Sequence, residues 1–388
     1  MVKKILSAVL TLVLGVGSGF LLWLVAMDGA EKLKEKNVSM PDEPQNIYEG
    51  FYYEGLGNSE KIAYEQIMTE IMEMPKKIKV PVLDEEGLSE VFEAILYDNP
   101  ELFFLSENCK SETSSFGSCY FIPEYTMNLY EYDEQLAELE KIRDAVKEKT
   151  ANLSDSYEKE LFIHDFVVDT CEYVDKTGGT YSSAYGCLVN GKASCEGYAK
   201  AMKYLLDEEG IENYLAVGTT EGEKPEEPTG HAWNIVKIDD GYYHLDATWD
   251  DPEGDAEEII SYAYFNVTDD DISETHTVEE RFLGRCTDNK ENYYVKNSIY
   301  FTEYTSSVRS AITSELATQT RLGNNSMSFR MGSEQALKDA EEALFEMNGV
   351  YSILLSADMM TEESLKLDEI MYMVDDKHGI ITLWDFIA

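Results

Sequence analysis

The segment GKASCEGYAKAMKYLL, residues 191–206, places a cysteine at the start of a predicted helix. Apolar residues follow Cys195 at the three- and four-residue spacing that marks one face of an amphipathic helix. These residues are Tyr198, Ala201, Met202, Leu205 and Leu206. Gly210 is the kind of residue that commonly follows the last turn of a helix. The spacing therefore predicts a helix over 195–209 that carries the thiol of Cys195 at its amino-terminal end.

A cysteine in this position can fill a core, form a disulfide or act as a nucleophile. Backbone N–H groups and the positive end of the helix dipole stabilise a thiolate there. The same N–H groups can bind an oxyanion that develops during acyl transfer. Gly197, two residues later, leaves the approach to the sulfur uncrowded. Because a lone cysteine outside the cell is more often disulfide-bonded, the residues downstream of Cys195 must decide between these roles.

A β-hairpin is predicted downstream of the helix. HAWNIVKI, residues 231–238, and YYHLDATW, residues 242–249, are strand-like runs separated by DDG, which is a strong turn signal. A nucleophilic thiol needs a base within hydrogen-bond reach and a third group that orients the base. His231 opens the first strand and Asp246 lies on the second. Both residues are therefore candidates for these two roles.

The register of the hairpin limits how His231 and Asp246 can meet. A two-residue turn at Asp240 and Gly241 would point both side chains to the same face of the sheet. It would also place Asp246 opposite Ile235, about 13 Å from His231 at ~3.3 Å per residue. A direct hydrogen bond therefore requires a bulge or a longer loop that shifts the register by several residues.

The other histidines of this region, His244 and His276, are interpreted as structural. His244 would share a face with Asp246, but it lies toward the turn and away from the end of the helix. The cysteines lack C-x-x-C spacing and the chain contains no H-x-x-x-H pair. Neither a metal site nor a cofactor is therefore predicted.

The charge balance argues against nucleic acid as a partner. Lysine and arginine total 31 against 76 aspartate and glutamate residues, which gives a net charge of −45. Such a surface repels phosphate backbones and anionic lipid, and no basic stripe runs along the sequence. The excess of acidic residues is interpreted as a solvated surface, and attraction of a cationic substrate is the alternative.

The amino terminus predicts attachment to the cell membrane. No residue from Ile5 to Met27 carries a charge, and roughly 20 apolar residues suffice to span the hydrocarbon core as a helix. An uncleaved signal-anchor is favoured, with a cleaved signal peptide and a secreted protein as the alternative. Lysines flank the segment on both sides and leave its orientation open. Since no second span is predicted, the rest of the chain is expected to lie on one side, outside the cell.

The chain contains six cysteines. An extracytoplasmic location would permit disulfides. Cys109 and Cys119 flank a Ser/Gly-rich turn and could close a hairpin. Once Cys195 is set aside, five cysteines remain, so at least one further free thiol is expected.

The order of predicted elements indicates an α+β protein of several parts. These are an anchor or signal peptide (1–27), a linker (28–47), a mostly helical region (48–150), a core with the helix and the hairpin (151–297) and a small α+β domain (298–388). In the last part we expect a helix near 333–346 and strands around 326–331, 350–355 and 369–374. No motif assigns chemistry to that last part.

Three strings of this sequence match the local patterns of a known family. They are AYGCLVNGKASCEGYAKAMKYLL (184–206), GHAWNIVKIDDGYYHLDATWDDP (230–252) and YAYFNVTDD (262–270). With them the chain resembles the transglutaminase-like superfamily of papain-type cysteine enzymes, especially its bacterial extracytoplasmic branch. The resemblance is strong over about 155–275, weaker in EAILYDNPELFFL (93–105), and fades after about 297. It implies a core in which the cysteine helix packs on an antiparallel sheet that carries the histidine and the aspartate.

The resemblance also implies a role for each residue of the constellation. Cys195 would be the nucleophile, His231 the general base and Asp246 the residue that orients the imidazole. Residues beside them would form the walls of the substrate pocket and pack the hairpin; these are Trp233, Asn234 and Trp249. Cys187 stands where relatives have a small residue, and a disulfide from it to Cys195 would silence the site.

The activity implied by the resemblance is acyl transfer through a thioester on a protein or peptide substrate. Water as acceptor gives proteolysis or deamidation, and an amine gives cross-linking. Hydrolysis is favoured, because many relatives outside eukaryotes are thought to hydrolyse. The alternative class is a binding or scaffold protein at the cell surface that keeps the fold and has lost turnover.

Overall fold

The computed structural model describes residues 8–12, 23–25, 41, 43–114, 117–220, 229–251 and 259–388. The chain divides into two compact units. The first unit comprises Met1–Thr248 and Asp269–Cys286, and the second comprises Trp249–Thr268 and Thr287–Ala388. Residues 249–268, which follow the hairpin in sequence, thus belong with the carboxy-terminal residues.

Twelve α-helices and fifteen strands lie within the described residues. The helices are α1 Phe51–Gly55, α2 Asn58–Glu70, α3 Glu85–Asp98, α4 Leu129–Thr150, α5 Ser156–Thr170, α6 Ala184–Leu188, α7 Cys195–Glu208, α8 Asp269–Ile272, α9 Tyr293–Lys296, α10 Ser306–Leu322, α11 Glu334–Glu341 and α12 Gly349–Asp358. The strands are β1 Ala8–Leu12, β2 Trp23–Val25, β3 Ile78–Val80, β4 Leu105–Thr113, β5 Cys119–Tyr125, β6 Glu172–Tyr173, β7 Lys192–Ala193, β8 Asn213–Thr220, β9 Thr229–Ile238, β10 Gly241–Leu245, β11 His276–Val278, β12 Tyr300–Phe301, β13 Ser326–Met331, β14 Met371–Asp375 and β15 Ile380–Trp384. The mixture confirms the predicted α+β class.

Helix α7 begins at Cys195, as the apolar spacing predicts. The five residues of its predicted apolar face are all buried. At its carboxy-terminal end Gly210 adopts φ +70. The Gly210 N–H donates to Asp207 O, and the Ile211 N–H donates to Leu206 O. This pair of bonds is a Schellman motif, which satisfies the last carbonyls of the helix.

The first turn of α7 packs closely against the chain that precedes it. A Cβ built on Gly197 would lie 2.5 Å from Tyr181 O and 2.6 Å from the Cβ of Ala193. No other residue fits at this position without a shift of the backbone. The Ser194 N–H and hydroxyl both donate to Tyr181 O. The start of the helix is therefore held against residue 181.

Helix α7 packs on a four-stranded antiparallel sheet of the first unit. The order of its strands is β10-β9-β8-β11, and α7 lies against β8 and β9. Asn234 of β9 donates from Nδ2 to Ala199 O of α7 at 2.9 Å, and this hydrogen bond is buried. It ties the helix that carries Cys195 to the strand that carries His231.

The observed turn of the β9–β10 hairpin differs from the predicted one. Asp239 and Asp240 form the turn, and Gly241 pairs with Ile238. Asp239 adopts φ +52, a left-handed conformation that aspartate tolerates better than most residues. The predicted turn one residue later was wrong, and the register moves by two residues as a result.

This two-residue shift changes which residues are neighbours across the hairpin. Leu245, the last residue of β10, pairs with Asn234. Asp246 follows directly and lies in line with Trp233, so His231 is its diagonal neighbour on the same face. Diagonal neighbours in an antiparallel pair are about 7–8 Å apart, within reach of long side chains. The predicted need for a shift of several residues was therefore wrong.

A second sheet of the first unit has the order β2-β1-β4-β5-β3. Strands β4 and β5 form the hairpin on which Cys109 and Cys119 lie. Cys109 pairs with Pro123, and Cys119 pairs with Thr113. The two cysteines are thus four rungs apart along the ladder, about 13 Å at ~3.3 Å per residue. A disulfide needs Cα atoms within about 7 Å, so the predicted bridge was wrong, and both cysteines are free.

The second unit contains a sheet of the order β12-β13-β15-β14. Strands β13 and β14 and helix α11 lie where the sequence predicts them. The predicted strand over 350–355 was wrong, because these residues belong to α12. The buried positions of α12 are Val350, Ile353, Leu354 and Ala357. Their spacing is that of a helix.

The predicted membrane anchor lies outside the described residues except for β1 and β2. These two short strands pair with each other, and β1 also pairs with β4. In the part of the chain that the structure describes, no helix combines the length and the apolar character that crossing a membrane requires.

Candidate active site

Cys195 is the most accessible of the six cysteines. All six lie in the described part of the chain and none is disulfide-bonded. Five of them are buried, whereas Cys195 is only partly buried. Cys187, on the neighbouring helix α6, is buried and not disulfide-bonded, so no bridge blocks Cys195. Because Cys195 is the first residue of α7, its own N–H and those of the next two residues lie outside the intrahelical hydrogen-bond pattern.

His231 lies between the thiol and a carboxylate. Its Nε2 is 2.6 Å from Asp246 Oδ2. A carboxylate only accepts hydrogen bonds, so Nε2 carries the proton that it donates to Asp246. The Cys195 side chain also acts on the His231 ring and raises its pKa, so the thiol lies beside the imidazole. Since Nε2 faces Asp246, Nδ1 is the ring nitrogen left for the sulfur. The three predicted residues thus meet in one cluster.

The electrostatic surroundings of His231 favour its charged form. Burial of the ring acts against the positive charge, but the Asp246 charge and hydrogen bond and the interaction with Cys195 outweigh it. Together they raise the pKa of His231 to about 10. His231 therefore carries a positive charge at neutral pH, and it holds that charge beside the sulfur.

Asp246 is fully buried and accepts hydrogen bonds from at least three described residues. Its Oδ2 accepts from His231 and from Nε2 of His276, which is 3.1 Å away, and its Oδ1 accepts from the Thr248 N–H. Burial acts against the charge of this carboxylate. The two histidines nevertheless hold the pKa of Asp246 well below its usual range. A buried aspartate is thereby kept ionised and held in one orientation.

His276 is the residue of this site that the sequence interpretation missed. Its position in THTV, after a run of aspartates, carries no catalytic pattern. The contact arises because β11 is added to the far edge of the sheet beside β8. Pairing of strands so far apart in the sequence could not be read from local spacing.

Trp233 supports the face of the His231 ring. The two rings are stacked with centroids 5.8 Å apart and planes 19° apart. The Trp233 indole N–H donates to His244 Nδ1 at 2.9 Å, and His244 Nε2 is 3.0 Å from Asp269 Oδ1. Burial of His244 lowers its pKa, although Asp269 partly opposes this effect. The predicted structural role of His244 agrees with this chain of contacts.

Of the three residues predicted to bind substrate, two are packing residues. Trp233 and Asn234 are each 1% exposed, which leaves them almost no surface for a substrate to contact. Trp233 packs against His231, and Asn234 binds α7. Their burial agrees with the predicted hairpin packing, and their role in substrate binding stays a prediction. Trp249 is 37% exposed and packs on Tyr264 within the second unit, and its role stays a prediction.

Two groups of described residues have the composition and spacing of metal ligands, with candidate ligand atoms within 4.8 Å of one another. They are His231, Asp246 and His276, and His244, Asp269 and Cys286. In the first group both Nε2 atoms carry the protons that they donate to Asp246. In the second group His244 accepts the indole N–H at Nδ1, so its Nε2 carries a proton toward Asp269. Hydrogen bonds therefore account for the short distances between the candidate ligand atoms in both groups. The predicted absence of a metal stays a prediction.

The cysteine helix packed on a sheet with the histidine and the aspartate is the layout that the resemblance implies. Residues 143–247 match the family model of the transglutaminase-like superfamily. This match confirms the predicted resemblance to the superfamily over these residues, and the bacterial extracytoplasmic branch stays a prediction. Among curated proteins, none matches the chain.

Several solved structures are similar to parts of the chain. A candidate cysteine protease from Cytophaga hutchinsonii is 21% identical with a TM-score of 0.25, over 28% of this chain and 37% of that chain. A structure described as a TGase is 15% identical with a TM-score of 0.24, over 45% and 51%. A candidate protease from Parabacteroides distasonis ATCC 8503 is 13% identical with a TM-score of 0.22, over 34% and 29%. The chain thus spans about half or less of the length of each.

Proposed function

We propose that this protein is a cysteine enzyme that hydrolyses peptide bonds or glutaminyl side-chain amides through a thioester. The observation that carries the proposal is the arrangement of Cys195, His231 and Asp246, with the only accessible thiol of the chain beside a charged imidazole. Nucleophile, base and orienting residue are the three components that such acyl transfer requires.

The chemistry follows from the positions of the protons. The Cys195 sulfur attacks the amide carbonyl carbon, and the backbone N–H groups at the start of α7 are placed to stabilise the oxyanion. When the C–N bond breaks, His231 gives its Nδ1 proton to the leaving nitrogen, and a thioester remains. Water then attacks the thioester carbon and passes a proton to His231. The C–S bond breaks, which yields a carboxylic acid and restores the starting pair.

Asp246 has a supporting role in both halves of the reaction. It binds the Nε2 proton of His231, so the ring presents Nδ1 to the sulfur throughout. Its negative charge also stabilises the imidazolium form. The choice of water as the acceptor of the acyl group rests on the family resemblance. The proposed substrate is a protein or a peptide.

The test combines thiol labelling with analysis of peptide products. Wild-type protein and the Cys195→Ser variant are incubated with peptides that contain glutamine, with and without an added primary amine. Mass spectrometry then distinguishes three products. The first is a deamidated peptide, which has lost ammonia and gained water; the second is a peptide that has gained the amine; the third is a cleaved peptide. We expect the first or the third from the wild type and none from the variant. Cys286→Ser is the matched control, because Cys286 is a buried free thiol.

The rival class predicts a different set of results. A binding or scaffold protein that has lost turnover gives no product with any peptide. In it, iodoacetamide would also modify Cys195 no faster than a cysteine in the unfolded chain, and His231→Ala would leave that rate unchanged. This pair of outcomes would overturn the enzyme proposal. Amine incorporation without hydrolysis would support the thioester mechanism, but with an amine in place of water as the acceptor.

We also propose that the body of the protein lies outside the cell and is held at the membrane through residues 5–27. The support is the uncharged run of the sequence. Membranes from cells that express the full chain are washed with alkaline carbonate. We expect the protein to stay in the membrane pellet, and a variant without residues 1–27 to be released. Release of the full chain at its full mass contradicts the anchor, and release of a shortened chain indicates cleavage and secretion.

A further inference from the structure

We infer that His276 is a positioning residue of the active site, which holds the Asp246 carboxylate in the orientation that directs His231 toward Cys195. The inference concerns the same site as the proposed function, and its predictions for kcat and KM depend on that function. Neither the family match nor the family resemblance drawn from the sequence assigns a role to this histidine.

The geometry links His276 to the reacting groups through one atom. Asp246 Oδ2 is 2.6 Å from His231 Nε2 and 3.1 Å from His276 Nε2. The rings of the two histidines are tilted at 48° with centroids 5.2 Å apart. His276 and Asp246 are buried, at 3% and 0% exposed. One carboxylate oxygen thus holds two imidazoles in a site that excludes bulk water.

The proton on His276 Nε2 follows from its neighbours. Because the carboxylate can only accept, Nε2 of His276 must be protonated to approach it. On the other side of the ring, Nδ1 lies 2.7 Å from the Thr275 hydroxyl oxygen, which is also 3.3 Å from Ile272 O. The hydroxyl can donate to Nδ1 of the neutral ring, or it can donate to Ile272 O and accept from Nδ1 of the charged ring. Thr275 therefore fixes the ring so that the donor faces Asp246 in the neutral form as well as in the charged form.

The sheet brings His276 to this place. His276 of β11 pairs with Thr220 of β8, and Thr220 also pairs with Thr229 of β9. Gly218, two residues before Thr220, pairs with His231. A Cβ on Gly218 would lie 3.0 Å from the Trp233 ring and 2.2 Å from Thr277 O. The missing side chain at position 218 makes room for the aromatic ring and for the close approach of β11.

The charged and titratable groups around His276 come from three elements. Asp246, after β10, is its hydrogen-bond partner, and His231 on β9 faces its ring. His244 on β10 is electrostatically coupled to it. Trp233 lies edge to face against the ring with centroids 5.1 Å apart. Asp246 is thus the anion that His276 contacts directly.

Loss of His276 therefore has a defined consequence for Asp246. One donor to Oδ2 disappears, while the donors from His231 and Thr248 remain. The carboxylate can then rotate, and a buried anion with fewer donors is protonated at a higher pH. A looser Asp246 places the imidazole less accurately, which slows the chemical steps but leaves substrate binding unchanged.

The test compares His276→Leu, which removes the donor, with His276→Gln, whose side-chain amide can still donate to Asp246. For His276→Leu we expect kcat on the amide substrate to fall by about 10-fold to 100-fold, as for a displaced reacting group, with KM unchanged. The acid limb of the kcat/KM profile should move to higher pH. His276→Gln should recover most of kcat, and the acid limb of its kcat/KM profile should return to the wild-type pH.

A second readout does not depend on the proposed substrate. The rate at which iodoacetamide modifies Cys195 is measured across pH for the same variants, and we expect the order wild type, His276→Gln, His276→Leu. His164→Leu is the control for a lost buried histidine, since His164 lies on α5 and is 0% exposed; it should lower stability and leave both profiles in place. If His276→Leu folds and shows wild-type kcat, pH profile and alkylation rate, the inference is overturned. If the wild type turns over no amide but the alkylation order holds, the proposed function fails and the positioning role stands.

Discussion

At the scale of single residues, the charge state of the site depends on one buried carboxylate. Asp246 has no exposed surface, yet it stays ionised because three donors surround it. Its charge in turn keeps His231 protonated although the ring is buried. Each of these groups would lose its charge in an apolar interior without the other.

Replacement of Asp246 by asparagine removes the negative charge of the side chain and keeps its size. The amide matches the carboxylate in size, but it lacks the negative charge and can present N–H to the ring. His231 would then lose its charge stabilisation and favour the wrong tautomer. We expect kcat for amide hydrolysis to fall by about 10³–10⁴-fold, as when an equivalent aspartate is replaced in a serine triad.

The matched control for this change is Asp98→Asn. Asp98 is a largely buried carboxylate that accepts the N–H groups of Tyr52 and Tyr53 at the start of α1. Its replacement should reduce the melting temperature and leave kcat unchanged. Equal losses of kcat in the two variants would mean that Asp246 acts through stability alone.

The two histidines His231 and His244 should respond to pH in opposite directions. The pKa of His231 is raised from 6.5 to about 10, so the stability that its charge contributes is full below about pH 6.5. That contribution is lost as the pH rises through about 10. The gap in unfolding free energy between wild type and His231→Gln should therefore narrow over this range.

Burial lowers the pKa of His244, so its effect on folding stability changes with pH in the opposite direction. The unfolded chain takes up a proton near pH 6.5 while the folded chain does not. The gap between wild type and His244→Gln should therefore narrow as the pH falls below about 6.5. Denaturant unfolding between pH 5 and pH 10 measures both gaps, and parallel curves for the two variants would contradict the assignment.

At the scale of elements, the position of the nucleophile depends on how closely α7 approaches the preceding chain. Gly197 makes this approach available, since a Cβ there would meet Tyr181 O at 2.5 Å. The contact is with the backbone and cannot be relieved by rotation of a side chain. Gly197→Ala should therefore move the start of α7, reduce stability by about 1–3 kcal/mol as an overpacked site does, and slow the modification of Cys195.

Gly55→Ala is the control for the helix preference of alanine. Gly55 is the last residue of α1, and a Cβ on it meets nothing within 4 Å. We expect this variant to keep wild-type stability and thiol reactivity. A wild-type alkylation rate in Gly197→Ala would show that the helix start tolerates the added methyl group and that the close contact has no role in placing the sulfur.

At the scale of the whole molecule, residues 249–268 belong to the second unit, although they directly follow the hairpin. Tyr264 packs edge to face on His378 with centroids 4.9 Å apart. Tyr294 is 1% exposed, and its hydroxyl lies 3.3 Å from Ser328 Oγ. The predicted boundary at 298 would therefore cut through the contacts of a buried core.

A chain that ends at residue 297 tests this organisation. It lacks His378 and Ser328, so the apolar surface of Tyr264 and Tyr294 becomes accessible. We expect it to bind a hydrophobic dye and to be cleaved by protease within 259–268, and the full chain to do neither. Cooperative unfolding of the shortened chain at the melting temperature of the full chain would contradict this division.

The local elements around the site could be read from the sequence, because each depends on neighbours a few residues away. The apolar spacing after Cys195 and the glycine at 210 define α7, and the DDG signal defines the hairpin. The prediction of a strand over 350–355 was wrong. The buried residues of this segment recur at helical intervals that a short apolar run conceals.

The sequence by itself determined the cysteine helix, the existence of the hairpin and the identity of the three candidate residues. Only the tertiary structure decided the two-residue register that joins His231 to Asp246, the recruitment of His276 and the burial of Trp233. Helix and turn preferences act between near neighbours in the chain. Register and strand order depend on pairing between distant segments, because the sheet forms only when they meet in space.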